Sequence, residues 1–144
     1  MLDGDIVRTH LSSELGFSKE HRSLNVQRIG FVASEITKNG GIAICAPIAP
    51  YNYDRQVNRE LISNVGSFVE IYVNTSIEKC EERDSKGLYK LAREGKIKEF
   101  TGISDPYEEP ESPDIVINSD GSKSPEELVN YIYDILTNMG FLQN

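Results

Sequence analysis

The chain has 144 residues, 38% of them hydrophobic and 26% charged, with 11 Gly and 6 Pro. That length predicts one domain, spanning 1–144, with a core that needs no disulfide or metal staple, and the composition excludes collagen-like, coiled-coil and wholly disordered chains. A net charge of −8 and a pI near 4.8 argue against nucleic acid as the main partner.

Two cysteines, Cys45 and Cys80, are too few for a disulfide scaffold or a zinc site. Reduced thiols in a cytoplasmic protein are the expectation. No apolar stretch reaches the ~18 residues of a membrane span. The acidic start Met1-Leu2-Asp3-Gly4-Asp5 lacks the basic and apolar segments of a signal peptide.

In chain order, Val7 to Leu15 reads as a short helix stopped by Gly16. Ser18 can cap a helix from Lys19 to about Lys38, with Leu24, Ile29, Val32, Ala33 and Ile36 at helical steps and Asn39-Gly40-Gly41 as its stop. The apolar run Ile42–Ala46 suits a strand covered on both faces, as in a parallel sheet. Asp54 can cap a helix through Ile62. Phe68–Val73 is the next strand, Ser76–Arg83 a short helix and Lys86–Glu94 another. After a Gly- and Pro-punctuated loop, Ile115–Ile117 is the last strand. Ser124, Pro125 and Glu127 form a capping box opening a helix to about Met139. Alternating strands and helices predict an α/β domain with a parallel sheet flanked by helices.

Four constellations carry candidate chemistry. Asp3 and Asp5 flank Gly4 where an apolar start yields to a helix, so one could orient a hydroxyl and the other bind a metal; Asp-Gly-Asp is equally a common turn. Arg22, Asn25 and Arg28 recur every third residue along one helical face behind Gly16-Phe17-Ser18. Arg22 can grip phosphate or sulfate, Asn25 can bond a base edge and Phe17 can stack on a purine, with Arg8 a further anion contact. An exposed basic face explains the same arginines. Pro47-Ile48-Ala49-Pro50-Tyr51 is a rigid loop directly after a strand, suited to binding or to a plain crossover.

The fourth runs from Arg83-Asp84-Ser85-Lys86-Gly87-Leu88-Tyr89 to Phe100-Thr101-Gly102-Ile103. Lys86 to Lys98 holds five basic residues against one acid, and Asp105 to Glu127 eight acids against Lys123. A basic stretch with glycines at both ends reads as a lid at about 84–105 over an anion, or as a solvated helix face.

Together with Arg28-Ile29-Gly30, Pro50-Tyr51 and Asp105-Pro106-Tyr107-Glu108, these segments occur in the order found in adenylylsulfate kinases, and the chain resembles that family through Ile117. The resemblance implies a P-loop kinase fold that moves the ATP γ-phosphate to the 3′-hydroxyl of adenosine 5′-phosphosulfate, giving 3′-phosphoadenosine 5′-phosphosulfate (PAPS) for sulfate assimilation. It implies that Asp5 serves the ribose hydroxyl or the Mg2+ shell, with Asp3 supporting. Arg8, Arg22 and Asn25 would bind the substrate, Phe17 and Phe100 would sandwich its purine, and Pro50 and Tyr51 would line its site. Lys86 would neutralise phosphate charge and Arg83 would pack by the ATP adenine. A homo-oligomer and a fused or associated ATP sulfurylase are the implied protein partners.

Three departures stand out. No Gly-x-x-x-x-Gly-Lys-[Ser/Thr] occurs, and Gly121-Ser122-Lys123-Ser124 lacks the upstream glycine. The chain therefore looks like the C-terminal three-quarters of a kinase domain, lacking the first strand and the phosphate loop, and as given is expected to be inactive. Ala49 stands where many family members have a serine proposed to carry phosphate transiently, leaving direct in-line transfer. Asn52 replaces a frequent arginine. The alternative is a non-catalytic, nucleotide-sensing kinase-like domain regulating an attached ATP sulfurylase; another nucleotide kinase fits the fold but not Phe100-Thr101-Gly102-Ile103.

Overall fold

The computed structural model describes residues 1–142. The chain divides into two compact units, Met1–Phe68 with Leu88–Glu111, and Val69–Gly87 with Ser112–Asn144.

The first unit opens with strand β1 (Leu2–Asp3), which passes directly into helix α1 (Gly4–His10). Asp3 makes that junction possible, because its carboxylate accepts from the Asp5 and Ile6 amides and caps the helix. Helix α1 begins and ends earlier than the expected Val7–Leu15, since the cap lies at Asp3 and Leu11 closes the last turn on Val7. Helix α2 (Lys19–Lys38) starts at Ser18, whose hydroxyl accepts from the His21 amide. Strand β2 (Cys45–Ala46) pairs in parallel with β1, Leu2 opposite Cys45 and Asp3 opposite Ala46.

The expectation that Ile42–Ala46 is covered on both faces is not met: Ile42 and Ile44 are 79% and 63% exposed. Only two residues of the run pair, and among the described residues the two-residue β1 is their only strand partner.

Helix α3 (Asn52–Ser63) follows the Pro47–Tyr51 loop. Asp54 does not cap it. The N-cap position is Tyr51, and Asp54 is fully buried, its carboxylate accepting from Gln27 Nε2 of α2 at 3.1 Å. Gly30 lets α2 and α3 approach: a Cβ there would lie 1.9 Å from Asn58 Oδ1, while Asn58 Nδ2 donates to the Val26 carbonyl at 3.0 Å. Val26, Ile29, Ala33 and Ile62 are the buried apolar residues of this helix pair. Helix α5 (Leu88–Arg93) and the loop to Glu111 complete the unit.

The second unit contains β3 (Ile71–Asn74), α4 (Ile77–Arg83), β4 (Ile115–Asn118) and α6 (Pro125–Asn138). Strands β3 and β4 are parallel, from Ile71 opposite Ile115 to Asn74 opposite Asn118. Alternation along β4 buries Ile115 and Ile117, which pack with Leu128, Val69, Ile132, Ile135 and Leu136. Helix α6 opens with the expected capping box: Ser124 Oγ accepts from the Glu127 amide, and Glu127 Oε2 accepts from the Ser124 amide at 2.7 Å.

Candidate functional site

Phe17 lies in the turn between α1 and α2 and is 58% exposed. Arg8 from α1 places its guanidinium 4.6 Å from the ring centroid, and Arg22 from the first turns of α2 lies at 5.6 Å. Two cations thus flank one exposed aromatic ring. Arg8 is fixed by donating to the carbonyl of Gly16 at 2.8 Å, and the Gly16 amide donates to His21 Nδ1 at 2.8 Å. Partial burial and the neighbouring Arg22 lower the Arg8 pKa, which marks a crowded cationic spot.

Arg22 is more deeply held than a free phosphate grip would be. Its side chain is 11% exposed; Nε donates to the Phe17 carbonyl at 2.8 Å and Nη2 to the Glu99 carbonyl, with Asp105 Oδ2 at 3.8 Å. It therefore ties α2 to the segment carrying Phe100. Phe100 meets Tyr89 edge-on at 5.0 Å, a partner that sequence reasoning had not singled out. One turn along α2 from Arg22, Asn25 is buried, and its Oδ1 has no hydrogen-bond partner. Arg28, the third residue of that spacing, turns to structural work: it pairs with Glu14 at 2.6 Å and donates to the Leu11 carbonyl.

Pro50 and Tyr51 are buried, and Lys19 Nζ lies 5.1 Å from the Tyr51 ring centroid. Burial, then the nearby Asp105 charge, raises the Tyr51 phenol above its ordinary pKa. At the β1–α1 junction Asp3 spends a carboxylate oxygen on its cap, while Asp5 is exposed in the first turn.

Arg83 and Lys86 belong to the second unit. Arg83 Nη1 donates to Ser119 Oγ at 3.2 Å, and both line a cavity of about 640 Å3 with Gly121, Ser122, Lys123 and Ser124. Gly121 has φ +97°, and a Cβ there would meet Arg83 and Lys79 at 3.7 Å. Sequence reasoning weighed Gly121–Ser124 only as a failed phosphate-loop motif; it is the wall of this cavity. Lys86 is exposed in the turn before α5. Among the described residues no group of three or more His, Cys, Asp or Glu could hold a metal ion.

Residues 1–118 match the adenylylsulphate kinase family. The chain belongs to that family. It is 51% identical to the adenylyl-sulfate kinase of Rippkaea orientalis over 142 residues, covering 99% of this chain and 76% of the relative. It is 50% identical to the sulfate adenylyltransferase of Chaetomium globosum over 139 residues, 96% of this chain and 24% of that longer protein. Among solved structures, the Mycobacterium tuberculosis APS kinase in complex with AMPPNP and APS superposes with a TM-score of 0.89 at 35% identity, covering 94% of this chain and 78% of that one. The fold is thus that of the P-loop kinases of this family, and the family reaction transfers phosphate to a hydroxyl. No helix among the described residues is long and apolar enough to cross a membrane.

Proposed function

We propose that this adenylylsulfate kinase chain holds adenosine 5′-phosphosulfate at the Arg8–Phe17–Arg22 cluster, the phosphosulfate against the two guanidiniums and the purine against Phe17 and Phe100. The observation that carries this is the convergence of Arg8 and Arg22 on one exposed ring, with Arg22 also bonded to the residue before Phe100. The buried, unpartnered Asn25 Oδ1 suits an amino group on the base edge. Buried Pro50 and Tyr51 supply an apolar wall.

ATP is the proposed phosphate donor, its adenine beside Arg83 in the cavity walled by Ser119 and Gly121–Ser124. Lys86 neutralises phosphate charge as the lid at about 84–105 closes. Phosphoryl transfer needs positioning and charge neutralisation more than covalent help. Asp5, exposed at the start of α1, accepts the proton of the 3′-hydroxyl or anchors Mg2+ through its shell, while Asp3 holds the turn that aims it. One carboxylate fits that ion, because Mg2+ keeps several waters and takes other ligands from substrate phosphates rather than an all-protein cage. When bound, the ion would supply charge compensation on the transferring phosphate. Asp5 and Lys86 are then the residues acting on the reacting groups, and direct in-line transfer is the route that Ala49 allows.

Calorimetry with adenosine 5′-phosphosulfate tests the reading. Arg22→Ala removes a charge-assisted contact and is expected to weaken binding by roughly 1.5–3 kcal/mol. Unchanged affinity in a folded Arg22→Ala variant would rule the role out.

A second reading has its own observation: the 144 residues carry the nucleotide-contacting segments without a phosphate-loop motif, and half-identical sequence occurs within a much longer sulfate adenylyltransferase. In that reading the domain senses nucleotide and regulates an attached ATP sulfurylase. It predicts adenylylsulfate binding without phosphate transfer.

A further inference from the structure

Among the described residues, two non-glycine positions have left-handed backbone, Ala49 at φ 45° and Glu99 at φ 54°. L-residues avoid this region because Cβ crowds the carbonyl, so such positions persist only where their surroundings hold them. Each precedes residues assigned above to the adenylylsulfate site: Ala49 comes before Pro50 and Tyr51, Glu99 before Phe100. In each, the residue's own carbonyl oxygen accepts from an arginine. Arg55 Nη1 donates to Ala49 at 2.6 Å, and Arg22 Nη2 donates to Glu99.

Arg55 has had no part in the site so far. Its Nη2 donates to Asn52 Oδ1 and, at 2.6 Å, to the Glu108 carbonyl, and the guanidinium lies 5.8 Å from the Tyr107 ring centroid. Glu108 closes the other side of the loop. Its amide donates to the Pro50 carbonyl at 2.8 Å, and its carboxylate accepts from the Asn52 amide at 2.7 Å. The loop is thus held at residues 49, 50 and 52 by one arginine and one glutamate from outside it.

We propose that Arg55 is a positioning residue for adenylylsulfate binding: it holds Ala49 in the left-handed conformation and so sets where Pro50 and Tyr51 stand. The proposal rests on the reading of Pro50 and Tyr51 as substrate contacts. The planar guanidinium delivers N–H groups to three oxygens at once, which a lysine ammonium on a flexible stem does not reproduce.

The test uses the 144-residue chain, calorimetry with adenosine 5′-phosphosulfate, and NMR backbone shifts of residue 49, in Arg55→Ala, Arg55→Lys, Ala49→Gly and the double variant Ala49→Gly/Arg55→Ala. Arg55→Ala is expected to weaken binding about five- to thirtyfold, the ratio by which an L-residue disfavours the left-handed region. Ala49→Gly alone should bind like the parent. Removing Arg55 from the Ala49→Gly background should cost clearly less, because glycine visits positive φ about as readily as negative. Arg55→Lys should fall toward Arg55→Ala. Equal losses in the parent and Ala49→Gly backgrounds, the signature of a merely structural arginine, would overturn the proposal, as would parent-like binding by Arg55→Lys. Should Arg55→Ala fail to fold, Arg55→Lys in both backgrounds makes the same comparison. No binding by the parent chain would overturn the substrate reading itself. The shifts would still decide the strut, which is refuted if Ala49 stays left-handed without Arg55.

Discussion

Tyr51 is 3% exposed, and the charges facing its phenol include Asp105, Asp54 and Glu108 against Arg22. Burial first, and Asp105 next, favour the neutral phenol, so its folded pKa lies above the unfolded value of about 10. Such a group contributes stability that is whole below the unfolded pKa and is lost as pH rises through the folded one, because the unfolded state then binds fewer protons. Urea midpoints measured across that alkaline window should fall more steeply for the parent than for Tyr51→Phe. Parallel slopes would show that the site does not resist the phenolate. Residues whose role is local were readable in the sequence: Ser18 and Ser124 cap their helices because a hydroxyl three residues before an amide suffices. Asp54 was misread for the converse reason. A cap needs only neighbours, whereas its actual partner, Gln27, lies 27 residues away and is brought near by helix packing.

The contact between α2 and α3 depends on a missing side chain. A Cβ at Gly30 would stand 1.9 Å from Asn58 Oδ1 and 2.3 Å from Asn58 Cγ. Gly30→Ala gains helix propensity of about 1 kcal/mol, but overpacking typically costs ~1–3 kcal/mol, and here it also threatens the Asn58 bond to Val26. Net destabilisation of about 1–2 kcal/mol is expected from chemical denaturation. The same change in an Asn58→Ala background should cost far less, since neighbouring sites couple; equal costs would mean that Asn58 is not the obstacle. Helix positions followed from periodicity and punctuation, with α2 and α6 close to their expected bounds. The strands shortened to Cys45–Ala46 and Ile71–Asn74, because strand length is set by pairing with distant residues, which apolar runs do not specify. The site divided in the same way. Arg8 and Phe17 were singled out by residue type and Arg22 by its three-residue spacing with Asn25 and Arg28, but the Arg22 bond to Glu99 spans 77 residues and has no local signature.

At the scale of the whole chain, the family's chemistry can be set against the groups that these 144 residues carry. The family transfers phosphate, yet the 144-residue polypeptide is expected not to turn over ATP. In-line transfer requires the γ-phosphate held beside the acceptor hydroxyl, and positioning of that kind is worth roughly 7–11 kcal/mol. A phosphate loop supplies it with consecutive free amides opening a helix and a lysine in reach. No segment of this chain carries that motif, and the starts of five helices are already engaged. Asp3, Ser18, Ser76 and Ser124 accept from the first-turn amides of α1, α2, α4 and α6, and the first amide of α3 donates to Glu108. Arg83 and Lys86 add charge but no cradle of N–H groups. On the reading proposed above, adenylylsulfate binding draws on Arg8, Phe17 and Arg22 of the first unit and should survive where turnover does not. A coupled assay on the purified chain with Mg2+, ATP and adenosine 5′-phosphosulfate, run beside an adenylylsulfate kinase that contains a phosphate loop, checks this. The chain should give no product above background while calorimetry still registers the substrate. Substantial Mg2+-dependent formation of 3′-phosphoadenosine 5′-phosphosulfate would show that the γ-phosphate is gripped by groups other than a phosphate loop, and Arg83, Lys86 and the wall of Ser119 and Gly121–Ser124 would be the first to mutate.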